Sequence, residues 1–202
     1  MSQKTTFLLS EQQSRDAYKL LSGLVVPRPI GWIGTTREDG TFNLAPFSFF
    51  NVVASNPPTV LFSGGRHPDR PKDSVAFAES SGEFTVNIVS EDVATAMSVT
   101  AGRFGSEDDE FAIAGLTPFL GVRVTAPMVV ESPANLECVV TQVVDIGPEA
   151  STRVVFGEVV ALHVRDTVLD GTRIVPNELK AIGRMAGDTY IRTSDRFDLA
   201  RP

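Results

Sequence analysis

Asn43-Leu-Ala-Pro-Phe-Ser-Phe-Phe-Asn51 is the most informative segment of the chain, because it mixes aromatic rings with turn-forming and polar residues. Pro46 lacks an amide donor and fixes φ, so the segment cannot simply continue as a central β-strand. Ser48 and Asn51 offer hydrogen-bonding groups between the rings, beside backbone N–H groups that are free to meet a ligand. Composition alone favours phenylalanines that fill a barrel core, with Ser48 as a satisfied turn hydroxyl. The alternative is that the segment forms the wall of a pocket for a flat ring.

Two further segments, Ser63-Gly-Gly-Arg66 and Arg70-Pro-Lys-Asp-Ser74, place hydroxyls and cations around a predicted helix start. Asp73 or Ser74 caps this helix, which runs to about Ser81. A helix N-terminus offers unpaired N–H groups and a partial positive charge, so phosphates bind there readily. The lysine before the helix and the arginine in the preceding loop add positive charge. The segments together predict a pocket for a phosphorylated, flat cofactor, and the alternative is an ordinary capped helix with solvated cations.

A third segment, Ile182-Gly-Arg-Met-Ala-Gly-Asp-Thr-Tyr190, has two glycines around an arginine and ends in a tyrosine. It is not Gly-x-Gly-x-x-Gly, so it does not indicate a dinucleotide fingerprint. Gly183 and Gly187 could let backbone approach a ligand, with Arg184 and Tyr190 at the pocket rim. A surface turn is an equally good interpretation.

The rest of the pattern predicts one mainly β domain over residues 1–202, a β-barrel with added helices. The two best strands are Asn135–Ile146 and Arg153–Arg165, which are rich in valine and separated by Gly147-Pro148. The other predicted elements are a helix over Ser10–Leu21 that Gly23 stops, strands over Ile30–Thr36 and Glu83–Val89, a hairpin turn at Asp39-Gly40 and a helix from Glu91 to about Thr100, capped by Ser90. Residues 1–9 are expected to form a loose arm, and residues 176–202 a C-terminal extension.

The composition excludes several classes of function. The net charge of −7 and pI of about 4.9 argue against binding to nucleic acids or anionic membranes, because phosphate contacts need a basic face. The sequence has neither a signal-peptide core nor a run of ~20 apolar residues, so we predict a soluble cytoplasmic protein. The acidic run over residues 106–110 is expected to be a solvated surface loop or lid.

The sequence lacks the residue patterns that are typical of metal sites and of hydrolase active sites. The chain has one cysteine and two histidines, so neither a cysteine cluster nor a histidine-rich metal site is expected. Cys138 is interpreted as a small buried residue and His163 as a satisfied barrel residue. There is no Gly-x-Ser-x-Gly elbow, and we predict no catalytic side chain.

An ordered set of motifs along almost the whole chain resembles the flavin reductase-like FMN-binding family, in its Pro-Arg-Pro-Ile subgroup. The motifs are Val26-Pro-Arg-Pro-Ile-Gly-Trp-Ile33, Asn43–Asn51, Asn56-Pro-Pro-Thr-Val60, Arg70–Ser74, Gly82-Glu-Phe-Thr-Val-Asn-Ile88, Gly157-Glu-Val159 and Gly183-Arg-Met-Ala-Gly-Asp-Thr-Tyr190. The resemblance implies an FMN-binding split barrel of Greek-key type. It also implies a homodimer that binds FMN near the subunit interface.

The same resemblance assigns site residues. The isoalloxazine ring and ribityl chain would be lined by Ala45, Pro46, Phe47, Ser48, Phe49 and Asn51. The phosphate would be surrounded by Ser63, Arg66, Lys72, Asp73 and Ser74. The ring or the pocket mouth would be approached by Gly183, Arg184 and Tyr190. Arg28 also matches the family pattern, without an assigned contact.

The implied activity is NAD(P)H-dependent flavin reduction, or electron transfer through bound FMN. Some relatives supply reduced flavin to a partner monooxygenase. The best-known reductase branch carries a histidine shortly before the Gly-Glu-Val segment, where this chain has Ser151-Thr-Arg-Val-Val155. Hydride transfer would be the work of FMN, with NADH or NADPH as transient donor. Backbone N–H groups around Ser48–Asn51 are candidates to stabilise the reduced ring. The alternatives are an FMN carrier or storage protein without turnover, and a barrel that has lost its cofactor.

Overall fold

The computed structural model describes residues 3–66, 72–105 and 108–200. The strands are β1 (Gly31–Thr36), β2 (Phe42–Phe47), β3 (Phe50–Ser55), β4 (Pro58–Gly65), β5 (Glu83–Ile88), β6 (Pro118–Leu120), β7 (Pro127–Val129), β8 (Ala134–Ile146), β9 (Thr152–Val164), β10 (Leu169–Asp170), β11 (Arg173–Ile174), β12 (Ile182–Arg184) and β13 (Tyr190–Arg192). The α-helices are α1 (Ser14–Leu24), α2 (Asp73–Ser81), α3 (Ala94–Val99), α4 (Glu110–Ala114) and α5 (Pro176–Leu179). Short 3₁₀ turns cover Leu9–Glu11, Glu91–Val93, Pro148–Ala150 and Asp166–Val168.

Seven strands form one antiparallel sheet in the order β2-β1-β5-β8-β9-β4-β3. Within it, β5, β8, β9 and β4 have the order of a Greek key, because β4 lies beside β9 although the chain continues from β4 to β5. The long pair β8 and β9 are the two valine-rich strands that the sequence predicts, with a turn at Gly147-Pro148 between them. The prediction of a mainly β fold, an antiparallel barrel with added helices, is confirmed.

The sheet curls because its two end strands, β2 and β3, follow one another directly in the chain. Only Ser48 and Phe49 separate them. The amide of Ser63 donates to the carbonyl of Phe49 over 2.8 Å, and the rings of Phe47 and Phe62 lie 5.0 Å apart. The bend Phe47–Phe50 therefore joins the two ends of the sheet.

Two apolar clusters flank the sheet. One is centred on the rings of Phe47, Phe62 and Phe84, against which α2 packs Val75 and Ala78. The other surrounds Trp32, whose indole N–H donates to the Thr100 hydroxyl over 2.8 Å. Packing on one face of α2 therefore fixes the position of the N-terminus of this helix, which matters for the site.

Substitution of two glycines, one in a crowded position and one in an open position, tests this packing. A Cβ on Gly34 in β1 would lie 2.2 Å from the carbonyl oxygen of Pro127, whereas a Cβ on Gly23 in α1 meets nothing within 4 Å. We expect Gly34→Ala to destabilise the fold by about 1–3 kcal/mol through overpacking. The matched control Gly23→Ala should stabilise it by about 1 kcal/mol, because alanine is the better helix former. Urea denaturation measures both, and equal effects would contradict the described packing.

The helix α1 differs from its predicted bounds. It begins at Ser14 after Gln13, with no side-chain cap, so the predicted start at Ser10 is wrong. The helix also continues through Gly23 to Leu24. The guanidinium of Arg28 explains the late end, because it donates to the carbonyls of Ser22 and Val25, which the end of the helix leaves without helical partners.

The helix predicted from Glu91 also departs from the sequence prediction. Ser90 makes no side-chain cap, and a 3₁₀ turn at Glu91–Val93 precedes α3 where one helix to about Thr100 was predicted. The C-terminal region contains α5 and the hairpin of β12 and β13. Residues 3–8 form neither helix nor strand.

The acidic run over residues 106–110 is not a solvated loop throughout; residues 106 and 107 lie outside the described part of the chain. Asp109 caps α4 by accepting from the amides of Phe111 and Ala112. Glu110 is buried, and one carboxylate oxygen lies 3.4 Å from a guanidinium nitrogen of Arg37. Burial raises the pKa of Glu110, against the lowering effect of hydrogen bonding and of Arg37. The run was misassigned because ion pairing and capping are not visible in a count of charges.

The interpretations of Cys138 and His163 are confirmed. Cys138 is completely buried, and burial raises the pKa of its thiol. His163 places Nε2 2.6 Å from Oε1 of Glu137, a carboxylate with no exposed surface. Glu137 also accepts the backbone N–H groups of Val122, Arg123 and Val124 over 2.7–3.0 Å. This carboxylate thus ties the loop before β7 to β8 and β9.

Candidate functional site

The predicted ring wall is the bend that joins the two ends of the sheet. Phe47 is buried in the core, Ser48 is half-buried, and the Phe49 ring is 45% exposed. Phe47 therefore agrees with the core interpretation, while Phe49 faces outward and the pocket interpretation stays a prediction. Ala45 and Pro46 precede the bend on β2, half-buried at the end of the sheet. The exposed aromatic surface available to a ligand is that of Phe49.

The predicted phosphate wall meets the ring wall at Lys72. The Lys72 ammonium lies 5.4 Å from the centre of the Phe47 ring. Gly64 makes this approach possible, because a Cβ there would lie 2.7 Å from Val75 and 3.2 Å from the Phe47 ring. Desolvation beside these groups lowers the pKa of Lys72. The two segments that the sequence placed at one pocket are therefore neighbours.

The start of α2 differs in detail from the prediction. Lys72 occupies the N-cap position, and no side chain caps the helix there. The expected cap by Asp73 or Ser74 is wrong, because the helix begins at Asp73 itself. Asp73 thus sits in the first turn, where a carboxylate is favoured by the helix dipole. The Ser74 hydroxyl is buried and accepts from the Asn43 side-chain amide over 2.9 Å, so it faces the interior.

Three other predicted residues have partners of their own. Arg66 is exposed, and its guanidinium donates to the carbonyl of Glu149 over 2.6 Å. Asn51 is exposed on β3, and its side-chain oxygen accepts from the Val52 amide. The backbone amide of Ser63 is bonded to the Phe49 carbonyl. The side chains of Arg66 and Asn51 are therefore exposed and bonded to nearby backbone, while Ser63 braces the bend.

The third predicted segment pairs through its backbone with Arg28, whose side chain in turn approaches Ser48 of the ring wall. The amide of Arg28 donates to the carbonyl of Arg184 over 3.0 Å, and the Arg184 amide donates back over 2.8 Å. A Cβ on Gly183 would lie 3.1 Å from Pro27, so this glycine serves close packing of two chain segments. The Arg184 guanidinium lies 4.5 Å from the centre of the Tyr190 ring and donates to the Tyr190 hydroxyl.

Arg28 is the functional candidate to which the sequence assigned no contact. Its side chain is 7% exposed. It donates to the carbonyls of Ser22, Val25 and Met185 and approaches the Ser48 hydroxyl at 3.5 Å. The Pro-Arg-Pro motif drew attention to Arg28, but the sequence does not indicate which oxygen atoms its guanidinium contacts.

A cavity of about 350 Å³ lies apart from most of these residues, between α3 and the C-terminal hairpin. Its lining comprises Glu91, Ala94, Thr95, Met97, Ser98, Ile182, Tyr190, Ile191 and Arg192. Of the predicted site residues only Tyr190 contributes to it. The cavity therefore does not coincide with the Ser48–Lys72 region.

Within the described ranges no group of three or more histidine, cysteine or acidic side chains is placed to hold a metal ion. In the same part of the chain, no helix combines the length and the apolar character that crossing a bilayer requires.

Comparison with known proteins identifies relatives of the whole chain. A family model described as a flavin reductase like domain matches residues 22–177. An uncharacterized protein of Deinococcus radiodurans is 43% identical over 206 residues, covering 98% of this chain and 89% of the relative. These matches confirm the resemblance drawn from the motifs.

Two solved structures have the same fold over almost the full length. Nitrilotriacetate monooxygenase component B from Bacillus cereus superposes with a TM-score of 0.95 at 33% identity, covering 98% of this chain and 100% of that chain. The 2-nitrobenzoate 2-nitroreductase NbaA from Pseudomonas fluorescens superposes with a TM-score of 0.89 at 28% identity, covering 98% and 96%.

Proposed function

The chain belongs to the flavin reductase-like domain family, and on that premise we propose that it is an FMN-binding oxidoreductase of flavin reductase type. In this proposal NADH or NADPH reduces bound FMN, and the electrons pass to an acceptor or a partner monooxygenase. One observation carries it: the Lys72 ammonium lies against the buried Phe47 ring, at the same bend that exposes the Phe49 ring, so a cation and an aromatic surface belong to one region. A phosphorylated flat cofactor needs both within one site.

The residues present fit FMN. The phosphate would be held by the Lys72 ammonium and favoured by the partial positive charge at the start of α2, a helix of nine residues. The ring would lie against Phe49 and the backbone of Ser48. Bound FMN supplies the hydride chemistry; the chain supplies binding, orientation and positive charge. Arg66 and Asn51 would form the rim, whereas Ser74 would support the site from the interior through Asn43.

We further propose a homodimer formed through α1 and β3, beside the flavin pocket. Exposed apolar side chains continue from one element to the other: Leu21, Leu24, Val25, Phe49, Val52 and Val53. The rings of Tyr18 and Phe49, 6.3 Å apart, connect them. A continuous apolar surface of this kind is typical of a protein interface. Light scattering at micromolar concentration tests it, and a monomer would contradict it.

A partner monooxygenase is proposed from the relative named nitrilotriacetate monooxygenase component B. This chain would then deliver reduced flavin to a second protein. A cytoplasmic location agrees with that role and stays a prediction.

The test of the proposed function is an anaerobic absorbance spectrum of the protein with FMN, before and after NADH and then NADPH. Loss of the flavin band at about 450 nm at a protein-dependent rate would support a reductase and identify its donor. Absence of any FMN binding would contradict the site assignment as well as the function.

The second candidate is an FMN-binding electron carrier or storage protein without NAD(P)H turnover. The observation that favours it is the Ser151–Val155 segment, which has no histidine where the best-known reductase branch carries one. The sequence also lacks a recognisable nicotinamide-binding motif. Retained flavin that neither NADH nor NADPH bleaches would decide for the carrier.

A further inference from the structure

The guanidinium of Arg28 is a buried cation that neutral oxygens surround. Nη1 donates to the carbonyls of Ser22 and Val25 over 2.5 Å and 2.8 Å, and Nη2 to the carbonyl of Met185 over 2.9 Å. Nε approaches the Ser48 hydroxyl at 3.5 Å. Among the ion pairs of the described residues none includes Arg28. Its charge is therefore solvated by dipoles and not neutralised.

Burying an unneutralised charge is costly, and carbonyl dipoles offset only part of the cost. A neutral side chain of similar size would avoid it. Arg28 stands where three segments meet: the end of α1, the Phe47–Phe50 bend and the hairpin of β12 and β13. Its planar fork reaches all three at once, which a lysine cannot do.

The position of this charge relative to the proposed pocket is specific. The Arg28 guanidinium lies 5.9 Å from the centre of the Phe49 ring, and Phe49 is the residue proposed to face the flavin. If the pocket holds FMN, a hydride from NAD(P)H would bring it two electrons and one proton, and the reduced ring would carry one negative charge. A fixed positive charge in a partly dehydrated site stabilises such an anion more than it stabilises the neutral oxidised ring.

We propose that Arg28 is a positioning residue of the flavin pocket that holds the Ser48 bend against the Met185 backbone and favours reduced, anionic flavin over oxidised flavin by its charge. This inference rests on the proposed function. It assigns separate effects to the two properties of the side chain. The fork sets the affinity for oxidised FMN, and the charge sets the ratio of the affinities for reduced and oxidised FMN.

The experiment compares Arg28→Met and Arg28→Lys with wild type in the full chain. Fluorescence titration gives the Kd for FMN, and dye-coupled reductive titration gives the midpoint potential of bound FMN. We expect Arg28→Met to raise the Kd about tenfold, the loss of roughly one charge-assisted hydrogen bond. Its potential should fall by about 30 mV, equivalent to tenfold in relative affinity for a two-electron couple. Arg28→Lys should restore the potential but not the Kd.

Arg165→Met is the matched control, because the Arg165 guanidinium also donates to backbone carbonyls, those of Val130 and Glu131, and within the described residues it has no hydrogen bond to a pocket segment. It should leave both values unchanged. If Arg28→Met does not fold, Arg28→Lys decides by its split between Kd and potential.

Wild-type values of Kd and potential in a folded Arg28→Met, with only its melting temperature lowered, would reduce Arg28 to a structural role and overturn the inference. An Arg28→Lys protein that shares the full fall in potential would overturn the charge effect. A wild type that does not bind FMN would contradict the proposed function and, with it, this inference. A wild type that binds FMN, with Arg28 variants of unchanged Kd and potential, would contradict this inference alone.

Discussion

Replacing Lys72 with methionine should weaken FMN binding by about 10- to 100-fold, measured by quenching of flavin fluorescence. Lys72 is accessible, and its ammonium makes no hydrogen bond or ion pair with another described residue but lies against the Phe47 ring. Partial desolvation already lowers its pKa. A phosphate at this position would gain a charge-assisted hydrogen bond worth roughly 1.5–3 kcal/mol, which corresponds to the expected loss.

Riboflavin, which lacks the phosphate, provides the sharpest control for Lys72. Its affinity should be equal in wild type and Lys72→Met if the lysine acts on the phosphate alone. Lys19→Met is the matched surface control, because Lys19 is paired with Asp16 on α1, and it should change neither affinity. An equal loss for FMN and riboflavin would place Lys72 against the ring instead, and no loss for either would exclude it from the site.

Glu137→Gln should be the most destabilising single-atom change discussed here, lowering the unfolding free energy by about 3 kcal/mol. Each carboxylate oxygen accepts two bonds, Oε1 from Val122 and His163 and Oε2 from Arg123 and Val124. A glutamine has one acceptor oxygen, so its NH₂ group would face donors in a site without solvent. For a chain of this size the melting temperature should fall by roughly 6–12 °C.

The effect of Glu137→Gln should depend on pH in a defined direction. Burial alone would raise the pKa of Glu137, but the hydrogen bonds from Val122, His163, Val124 and Arg123 together lower it from 4.5 to about 2. A depressed pKa contributes stability that is complete above pH 4.5 and is lost as the pH falls towards 2. The difference between wild type and Glu137→Gln in urea denaturation should therefore be largest near pH 7 and shrink between pH 4.5 and 2.

Glu131→Gln is the control for this experiment. Glu131 also accepts a backbone amide, that of Thr117, at both oxygens over 3.1 Å, but it is only half-buried. It should cost less than about 1 kcal/mol, because water can satisfy the displaced donor. A constant difference between wild type and Glu137→Gln from pH 7 to pH 2 would contradict the lowered pKa.

The sequence predicted those elements whose cause is local. The valine-rich strands β8 and β9, the turn at Asp39-Gly40 and the helix after Lys72 follow from side-chain periodicity and turn chemistry, and all are present. The two walls of the proposed pocket were also recognised, because their residue types are unusual for strands or loops. Their contact through Lys72 and Phe47 agrees with the pocket, whose ligand stays a prediction.

The errors have non-local causes. The end of α1 depends on Arg28, which satisfies helix carbonyls from outside the helix. The burial of Glu110 depends on Arg37, and the cap of α4 on Asp109, although both acidic residues look solvated in the sequence. The pairing of Arg28 with Arg184 joins positions far apart in the chain. None of these contacts leaves a periodic pattern, so only the assembled fold reveals them.

Because of the two-residue bend at Ser48 and Phe49, we expect the protein to retain bound flavin only while the whole sheet is folded. The same backbone that would touch the flavin also connects the two end strands of the sheet, so the proposed pocket should lose its shape when the sheet unfolds. Ligand binding to such a junction adds its free energy to the unfolding equilibrium. Bound flavin should therefore be released in the same cooperative transition that unfolds the β-sheet. The flavin absorbance would then follow the unfolding of the whole domain.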